Sequence, residues 1–98
     1  MFVVTVTFDV QPEQADAFQQ RVLQQAADTL KNESTCQVFH VSVSPERPEA
    51  FFLYEVYDDE AAFDVHRNQP YFADFAKTVE PWVQSKSITT YHRISPQT

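Results

Sequence analysis

The alternation of apolar and polar residues predicts four strands. Residues 2–9, FVVTVTFD, alternate apolar side chains with hydroxyl groups, which is typical of a strand. Residues 36–44, 50–57 and 86–94 show comparable alternation. The prolines in residues 45–49 predict a turn, so the second and third strands should form a hairpin.

A helix is predicted between the first two strands. Pro12 suits the first turn of a helix, and the helical pattern continues to about Lys31. Apolar residues recur every three or four positions along this segment, which predicts one buried face. They are Ala15, Phe18, Val22, Ala26 and Leu30.

A second helical region follows the third strand. Asp58 or Asp59 is expected to cap a helix that runs through His66. Pro70 interrupts it, and a further apolar helical face continues until Pro81. The resulting order, β-α-β-β-α-β, predicts an α+β, ferredoxin-like domain with a four-stranded antiparallel sheet.

The length and composition restrict the class of protein. We expect one domain over residues 1–98, with a short tail at residues 95–98. A chain of this size buries only about 60–65% of its unfolded surface, so a partner subunit would help it. The net charge of −7 argues against binding to nucleic acid or an anionic membrane, and no apolar run is long enough to cross a membrane.

The sequence also lacks the signatures of several common sites. It has no glycine, which the phosphate-binding loops of nucleotide and dinucleotide sites and the nucleophile elbow require. The three histidines share no metal-ligand spacing, so no metal site is expected. Cys36 is the single cysteine, which excludes an internal disulfide, fits a cytoplasmic location and suggests a buried filler.

Strand alternation predicts two different faces of the sheet. The apolar face, expected to pack on the helices, consists of Val4, Val6, Phe8, Phe39, Val41, Val43, Phe52, Tyr54 and Val56. The mixed face consists of Val3, Thr5, Thr7, Cys36, Val38, His40, Ser42, Phe51, Leu53, Glu55 and Tyr57. A mixed face is typical of a covered pocket, and a second copy of the sheet is its natural cover, so we expect a homodimer.

The most informative stretch is residues 51–66, FFLYEVYDDEAAFDVH. It places a carboxylate (Glu55), a phenol (Tyr57) and an imidazole (His66) near one end of the sheet. With the QPYFADF that follows, it resembles the antibiotic biosynthesis monooxygenase family. The resemblance extends over residues 1–94 and implies a dimeric α+β barrel in which two ferredoxin-like sheets face each other.

The resemblance implies several activities. Some members oxidise anthrones and quinols without a cofactor, one branch isomerises or degrades a phosphorylated autoinducer, and another degrades haem. The chain departs from these patterns at Tyr57, where tryptophan is frequent, and at Thr35, where glycine is common. Ala76 replaces the haem-ligand histidine, and Ala26 stands where the autoinducer branch has a histidine, which disfavours both of those branches.

The resulting hypothesis is oxidation of a quinol- or anthrone-like aromatic by dioxygen, without metal or other cofactor, in a pocket between sheet and helices. His66 would act as base or proton shuttle, and Glu55 would orient it or bind a substrate hydroxyl. Tyr57 and Tyr71 would donate hydrogen bonds to the developing oxyanion. The remaining substrate-binding residues would be His40, Phe51, Phe72, Phe75 and Trp82.

Structural explanations stay open for the same residues. His66 could bond the last carbonyls of its helix, and Glu55 could form an ordinary ion pair with Arg67 or Arg93. The tyrosines and the tryptophan could belong to the core.

Two other functions also stay open: an isomerase or degradation enzyme for a small polar metabolite, and a non-catalytic dimeric binding or stress-response module. A phosphorylated ligand would need Lys or Arg at the pocket, and the predicted mixed face supplies none.

Overall fold

Four antiparallel strands form one sheet in the order β2-β3-β1-β4. They are β1 (Phe2–Val10), β2 (Cys36–Val43), β3 (Ala50–Tyr57) and β4 (Val83–His92). In this computed structural model the element order confirms the α+β, ferredoxin-like prediction. Strand β4 begins three residues earlier than predicted, because its first residue still pairs with the end of β1.

The helices lie on one side of the sheet as α1 (Ala15–Asn32), α2 (Glu60–Arg67) and α3 (Pro70–Val79). The structure describes residues 1–96, so the last two residues of the predicted tail, Gln97 and Thr98, lie outside the described part. No helix among the described residues has the length and apolar character needed to cross a bilayer.

Local signals in the sequence explain where α2 begins and which side of α1 is buried. Asp59 caps α2 by accepting a hydrogen bond from the backbone N–H of Ala62 at 2.8 Å, as one of the two predicted caps. The buried stripe of α1 contains Phe18 and Val22 as predicted, and it continues through Gln25, Ala26 and Thr29. The inclusion of Leu30 was wrong, because this side chain is 49% exposed.

The predicted faces of β3 were wrong. In the antiparallel register, Glu55 lies opposite Val4 of β1 and Phe39 of β2, and Phe51 lies opposite Phe8. The helix side therefore carries Phe51, Leu53, Glu55 and Tyr57, whereas Phe52, Tyr54 and Val56 lie on the far side. Both sides of β3 are rich in apolar residues, so alternation alone did not distinguish them.

Cys36 was also assigned to the wrong face. It lies opposite Tyr57, and the ladder of β2 shifts register between Cys36 and Val38, so Cys36 joins the core on the helix side. Its hydrogen bond to the Val38 carbonyl measures 3.4 Å, and burial raises the pKa of the thiol to about 12. The prediction of a buried filler is confirmed.

The core between sheet and helices is largely aromatic. Phe18 of α1 contacts Phe51 and Phe8 of the sheet, with ring centroids 4.7 and 5.0 Å apart. Tyr57 is fully buried and packs on Phe63 of α2 at 5.3 Å, as expected for a core tyrosine. This packing fixes the position of α2 and α3 over the sheet.

The far face of the sheet combines apolar and polar neutral residues without a helix layer over it. Outside Asp9 at its end, the four strands present no Asp, Glu, Lys or Arg on this side within the described chain. Phe52 and Tyr91 are 41% and 53% exposed there. A face of this composition is unusual for a surface that contacts only water.

Candidate functional site

A cavity of about 190 Å³ lies between the sheet and the helices; we call it the helix-side cavity. Most of its wall is apolar and is formed by Val4, Val6, Phe8, Phe39, Leu53, Phe63, Phe72 and Phe75. Gln25 and Glu55 add polar groups to this wall. Five exposed residues of the lining mark its opening: Arg67, Ala76, Lys86, Ile88 and Thr90. Its volume is below the roughly 300–1,000 Å³ of pockets for drug-sized ligands, so it suits a small aromatic molecule.

Glu55 is the acidic residue of this lining. It is 3% exposed, and its Oε1 accepts a hydrogen bond of 2.6 Å from the hydroxyl of Tyr57. Burial raises the pKa of Glu55 from 4.5 to about 7, although the Tyr57 hydrogen bond and the charge of Lys86 act in the opposite direction. The carboxyl group is therefore poised to gain or lose a proton near neutral pH.

Tyr57 holds the carboxyl group of Glu55 in place. Burial and the adjacent Glu55 raise the pKa of Tyr57 above its ordinary value, so the phenol stays protonated and donates. The prediction that Glu55 pairs with Arg67 or Arg93 was wrong, because its hydrogen-bond partner is Tyr57. Tyr57 was predicted to donate a hydrogen bond to the substrate, yet it does not line the helix-side cavity.

Two cations border the opening of the cavity. Lys86 places its ammonium 5.4 Å from the ring centroid of Phe8, and the guanidinium of Arg67 lies 4.8 Å from that of Phe63. Arg67 is also paired with Asp64. The expectation of a pocket without Lys or Arg was wrong, because it considered one face of three strands and omitted β4 and α2.

A second buried polar cluster joins His66, Glu33 and Tyr71. Nδ1 of His66 lies 3.0 and 3.2 Å from the two carboxylate oxygens of Glu33, and the Tyr71 hydroxyl donates to Oε2 of the same carboxylate. Glu33 and His66 are 4% and 2% exposed. Burial and the Glu33 hydrogen bond raise the pKa of Tyr71. An ionised carboxylate only accepts, so this contact is a hydrogen bond to Glu33 in the tautomer of His66 that carries its hydrogen on Nδ1.

His66 lies one layer behind the wall of the helix-side cavity. Its ring centroid is 5.1 Å from that of Phe72 and 6.1 Å from that of Phe63, and both phenylalanines line the cavity whereas His66 does not. The explanation that His66 bonds the last carbonyls of its helix was wrong, since its ring bonds Glu33. The Glu33 carboxylate instead ties the end of α1 to α2 and α3.

The other predicted binding residues are distributed over several environments. Phe72 and Phe75 line the helix-side cavity. Phe51 is a buried core residue, and Trp82 is partly buried against the same core. His40 is exposed on the far face of β2, 6.1 Å from the ring of Tyr54.

Three residues of the cavity and of the buried polar cluster were not among the predicted site residues. Gln25 occupies the apolar stripe of α1, three residues after Val22, and this position could have identified it as buried. Glu33 directly follows α1, where the helix dipole disfavours a carboxylate, so it needs compensating donors. Lys86 carried no local signal, because its approach to the cavity depends on how β4 pairs with β1.

No group of three or more His, Cys, Asp or Glu residues within residues 1–96 is arranged to hold a metal ion. The absence of such a group does not test the prediction of a reaction without a metal or other cofactor, which stays a prediction.

Comparison with known proteins gives a consistent fold assignment. The sequence profile of the family described as antibiotic biosynthesis monooxygenase matches residues 1–78. Similar structures come from Nitrosomonas europaea, Deinococcus radiodurans and Caulobacter crescentus, and each carries that family name as an unproven assignment. No curated protein matches the chain significantly.

These three structures superpose over nearly their whole length. The Nitrosomonas protein has a TM-score of 0.91 at 21% identity, over 96% of this chain and 99% of its own. The Deinococcus protein has a TM-score of 0.90 at 22% identity, over 100% and 97% of the two chains. The Caulobacter protein has a TM-score of 0.90 at 24% identity, over 96% and 90%. At these identities the likeness establishes the shared fold.

Proposed function

Because the chain belongs to the antibiotic biosynthesis monooxygenase family, we propose that it oxidises a quinol- or anthrone-like aromatic with dioxygen, without metal or other cofactor. The observation that carries this proposal is Glu55, a buried carboxyl group with a pKa of about 7 on the wall of an apolar cavity. The volume of about 190 Å³ favours a quinol of one or two rings within this class.

The reaction needs no external reductant, since the substrate supplies all four electrons. A quinol and dioxygen give a hydroxyquinone and water: one oxygen atom forms a new C–O bond, the O–O bond breaks, and the other oxygen leaves with two protons. For an anthrone, the methylene carbon becomes a carbonyl with the same balance. Dioxygen reacts slowly with the neutral molecule, so removal of a proton from the substrate is the step that the protein must assist.

Glu55 is the base in this proposal. Its ionised carboxylate takes the proton of a substrate hydroxyl, and Tyr57 holds it in position. The aromatic wall excludes water from the anion that forms, and Lys86 at the opening contributes favourable charge. His66 does not reach the cavity, so the role of base, expected for His66 from the sequence, passes to Glu55.

Oxygen uptake with a panel of quinols and anthrones, measured with a metal chelator and no added flavin, tests this proposal. We expect one dioxygen per quinol, and a kcat/KM that rises through about pH 7 as Glu55 ionises. Glu55→Gln should lower turnover by roughly 10²- to 10⁴-fold, the range of general-base effects. Glu46→Gln, at an exposed position of the β2–β3 turn, is the matched control and should retain full activity.

The same assay separates the two candidate bases. His66→Asn should retain the rise in rate near pH 7, because Glu55 is still present. Loss of this rise in a folded His66→Asn protein, with Glu55→Gln still active, would transfer the role of base to His66. Tight binding of aromatics without oxygen uptake would instead support the non-catalytic binding module.

One observation favours a second candidate function. Lys86 and Arg67 border the opening of the helix-side cavity, which is the arrangement that a small anionic metabolite would need. An isomerase or degradation enzyme for such a molecule would bind phosphorylated compounds more tightly than neutral quinols. The largely apolar wall makes the aromatic substrate the better fit.

We also propose that the protein is a homodimer formed through the far face of the sheet. Among residues 1–96, no helix covers that face and no charged residue lies along most of its length, and Phe52 and Tyr91 are exposed on it. Light scattering during size-exclusion chromatography should give twice the chain mass, and Phe52→Glu should give monomers. Leu23→Glu, at an exposed apolar residue of α1 on the helix layer, is the control and should leave the dimer intact.

A further inference from the structure

Gln25 is a polar residue placed where the pattern of α1 calls for an apolar one. It is 2% exposed, follows Val22 on the buried stripe of the helix and lines the helix-side cavity. Its exposed neighbour Gln24 instead bonds Asp28 on the outer side of α1, with a distance of 2.9 Å. The burial of Gln25 therefore needs an explanation that the packing of α1 does not supply.

The amide of Gln25 is incompletely satisfied. Its Oε1 is buried and forms no hydrogen bond within residues 1–96. The other such side-chain atom in this part of the chain is Nη1 of Arg21, one helical turn earlier, and the Arg21 guanidinium lies 5.4 Å from the ring centroid of Phe75. Of these two atoms, only Gln25 Oε1 belongs to a residue that lines the helix-side cavity. Buried groups without partners are few in folded proteins and destabilise them, so this oxygen is the one that a ligand in the cavity would satisfy.

Gln25 and Glu55 approach the helix-side cavity from different layers of the fold. Gln25 belongs to α1 and Glu55 to β3, and the wall between them is largely aromatic. A ligand with two separate polar substituents on an apolar body would satisfy both. This description matches a dioxygenated aromatic ring and not an aromatic with a single hydroxyl group.

We propose that Gln25 is a specificity-determining residue that hydrogen-bonds a second oxygen of the aromatic substrate, separate from the oxygen that Glu55 deprotonates. The inference rests on the proposed function and adds a rule for substrate choice. Rotation of the amide exchanges its oxygen and nitrogen, so the group can accept from a hydroxyl or donate to a carbonyl. Gln25 can thus bind this oxygen both in the quinol and in the quinone that the reaction produces.

Binding of a matched pair of compounds tests this inference. Anaerobic calorimetry compares 1,4-dihydroxynaphthalene with 1-naphthol, which lacks the second hydroxyl, on the wild-type protein, Gln25→Met and Gln24→Met. Wild type and Gln24→Met should prefer the dihydroxy compound by about tenfold or more, since the mono-hydroxy compound leaves the amide unpaired. Gln25→Met should bind 1-naphthol as well as wild type does and show a preference close to one.

Thermal unfolding of the ligand-free proteins separates recognition from a structural role. Gln25→Met should be at least as stable as wild type, because it removes a buried group without a partner. A large loss of stability together with an unchanged preference would show that Gln25 serves packing, and would overturn the inference. Equal binding of both compounds by wild type would also overturn it while leaving the proposed oxidation intact, whereas failure to bind either would remove the proposed function as well.

Discussion

Replacement of Glu55 by Gln should change how the stability of the protein depends on pH. Gln has nearly the same size and keeps an oxygen that can accept from Tyr57, but it does not ionise. The folded wild-type protein must bury a charged carboxylate above about pH 7, whereas the Gln variant never does. The difference between the two proteins therefore isolates the cost of ionising this group.

The magnitude follows from the pKa of Glu55 in the two states. Burial raises it from 4.5 to about 7, and each pH unit corresponds to about 1.36 kcal/mol. The wild-type protein should therefore lose roughly 3 kcal/mol of unfolding free energy relative to the variant. The folded state keeps the Glu55 proton up to a higher pH than the unfolded state does. The stability that comes from keeping this carboxyl group neutral is therefore fully present below about pH 4.5, falls between pH 4.5 and 7, and is lost above that range.

Urea unfolding at half-unit steps from pH 4 to 8.5 measures this difference. The protein concentration must be the same throughout, because dimerisation makes apparent stability depend on it. The other ionisable groups contribute equally to both proteins and cancel in the difference. Glu46→Gln, at an exposed site, controls for the loss of one negative charge and should run parallel to wild type.

A difference between wild type and Glu55→Gln that stays constant from pH 4 to 8.5 would refute this reasoning. It would mean that Glu55 ionises at the same pH in the folded and unfolded states. The carboxyl group would then be hydrated in solution, and the case for Glu55 as a base tuned to neutral pH would fail.

Further substitutions test the surroundings of this group. Lys86→Gln removes a charge that lowers the pKa of Glu55, so the pH midpoint of the Glu55 carboxyl ¹³C resonance should move upward. An unchanged midpoint would show that Lys86 lies too far from Glu55 to affect it. Glu33→Ala leaves His66 and Tyr71 without their acceptor, so it should lower the unfolding free energy measured in urea by about 3 kcal/mol. A decrease of less than about 1 kcal/mol would show that the cluster is hydrated or dispensable.

The sequence predicted the elements of the fold well because their signals are local. The bounds of β3 agree with the structure, as does the choice of Asp59 as one of two candidate caps. Prolines marked the start of α3 and the turn between β2 and β3. Each of these depends on a few neighbouring residues, and no long-range information was needed.

The site was harder to predict because it depends on pairing between distant segments. The side of the sheet on which Glu55 lies was fixed by its register with Val4 and Phe39, and a shift of one residue reverses every side chain of a strand. The partner of His66 is Glu33, which is 33 residues away in the sequence and lies outside residues 51–66, where the site was predicted. The predicted closeness of Glu55 and Tyr57 is confirmed, and a hydrogen bond joins the two side chains.

Diffraction from crystals grown with 1,4-naphthoquinone, an analogue of the product that is already at the quinone oxidation level, locates the binding site most directly. The ring should lie in the helix-side cavity against Phe72, with one carbonyl oxygen near Glu55 and the other within hydrogen-bonding distance of the Gln25 amide. A quinone bound on the far face of the sheet, or an empty cavity at saturating concentration, would contradict the assignment of this cavity as the place of reaction.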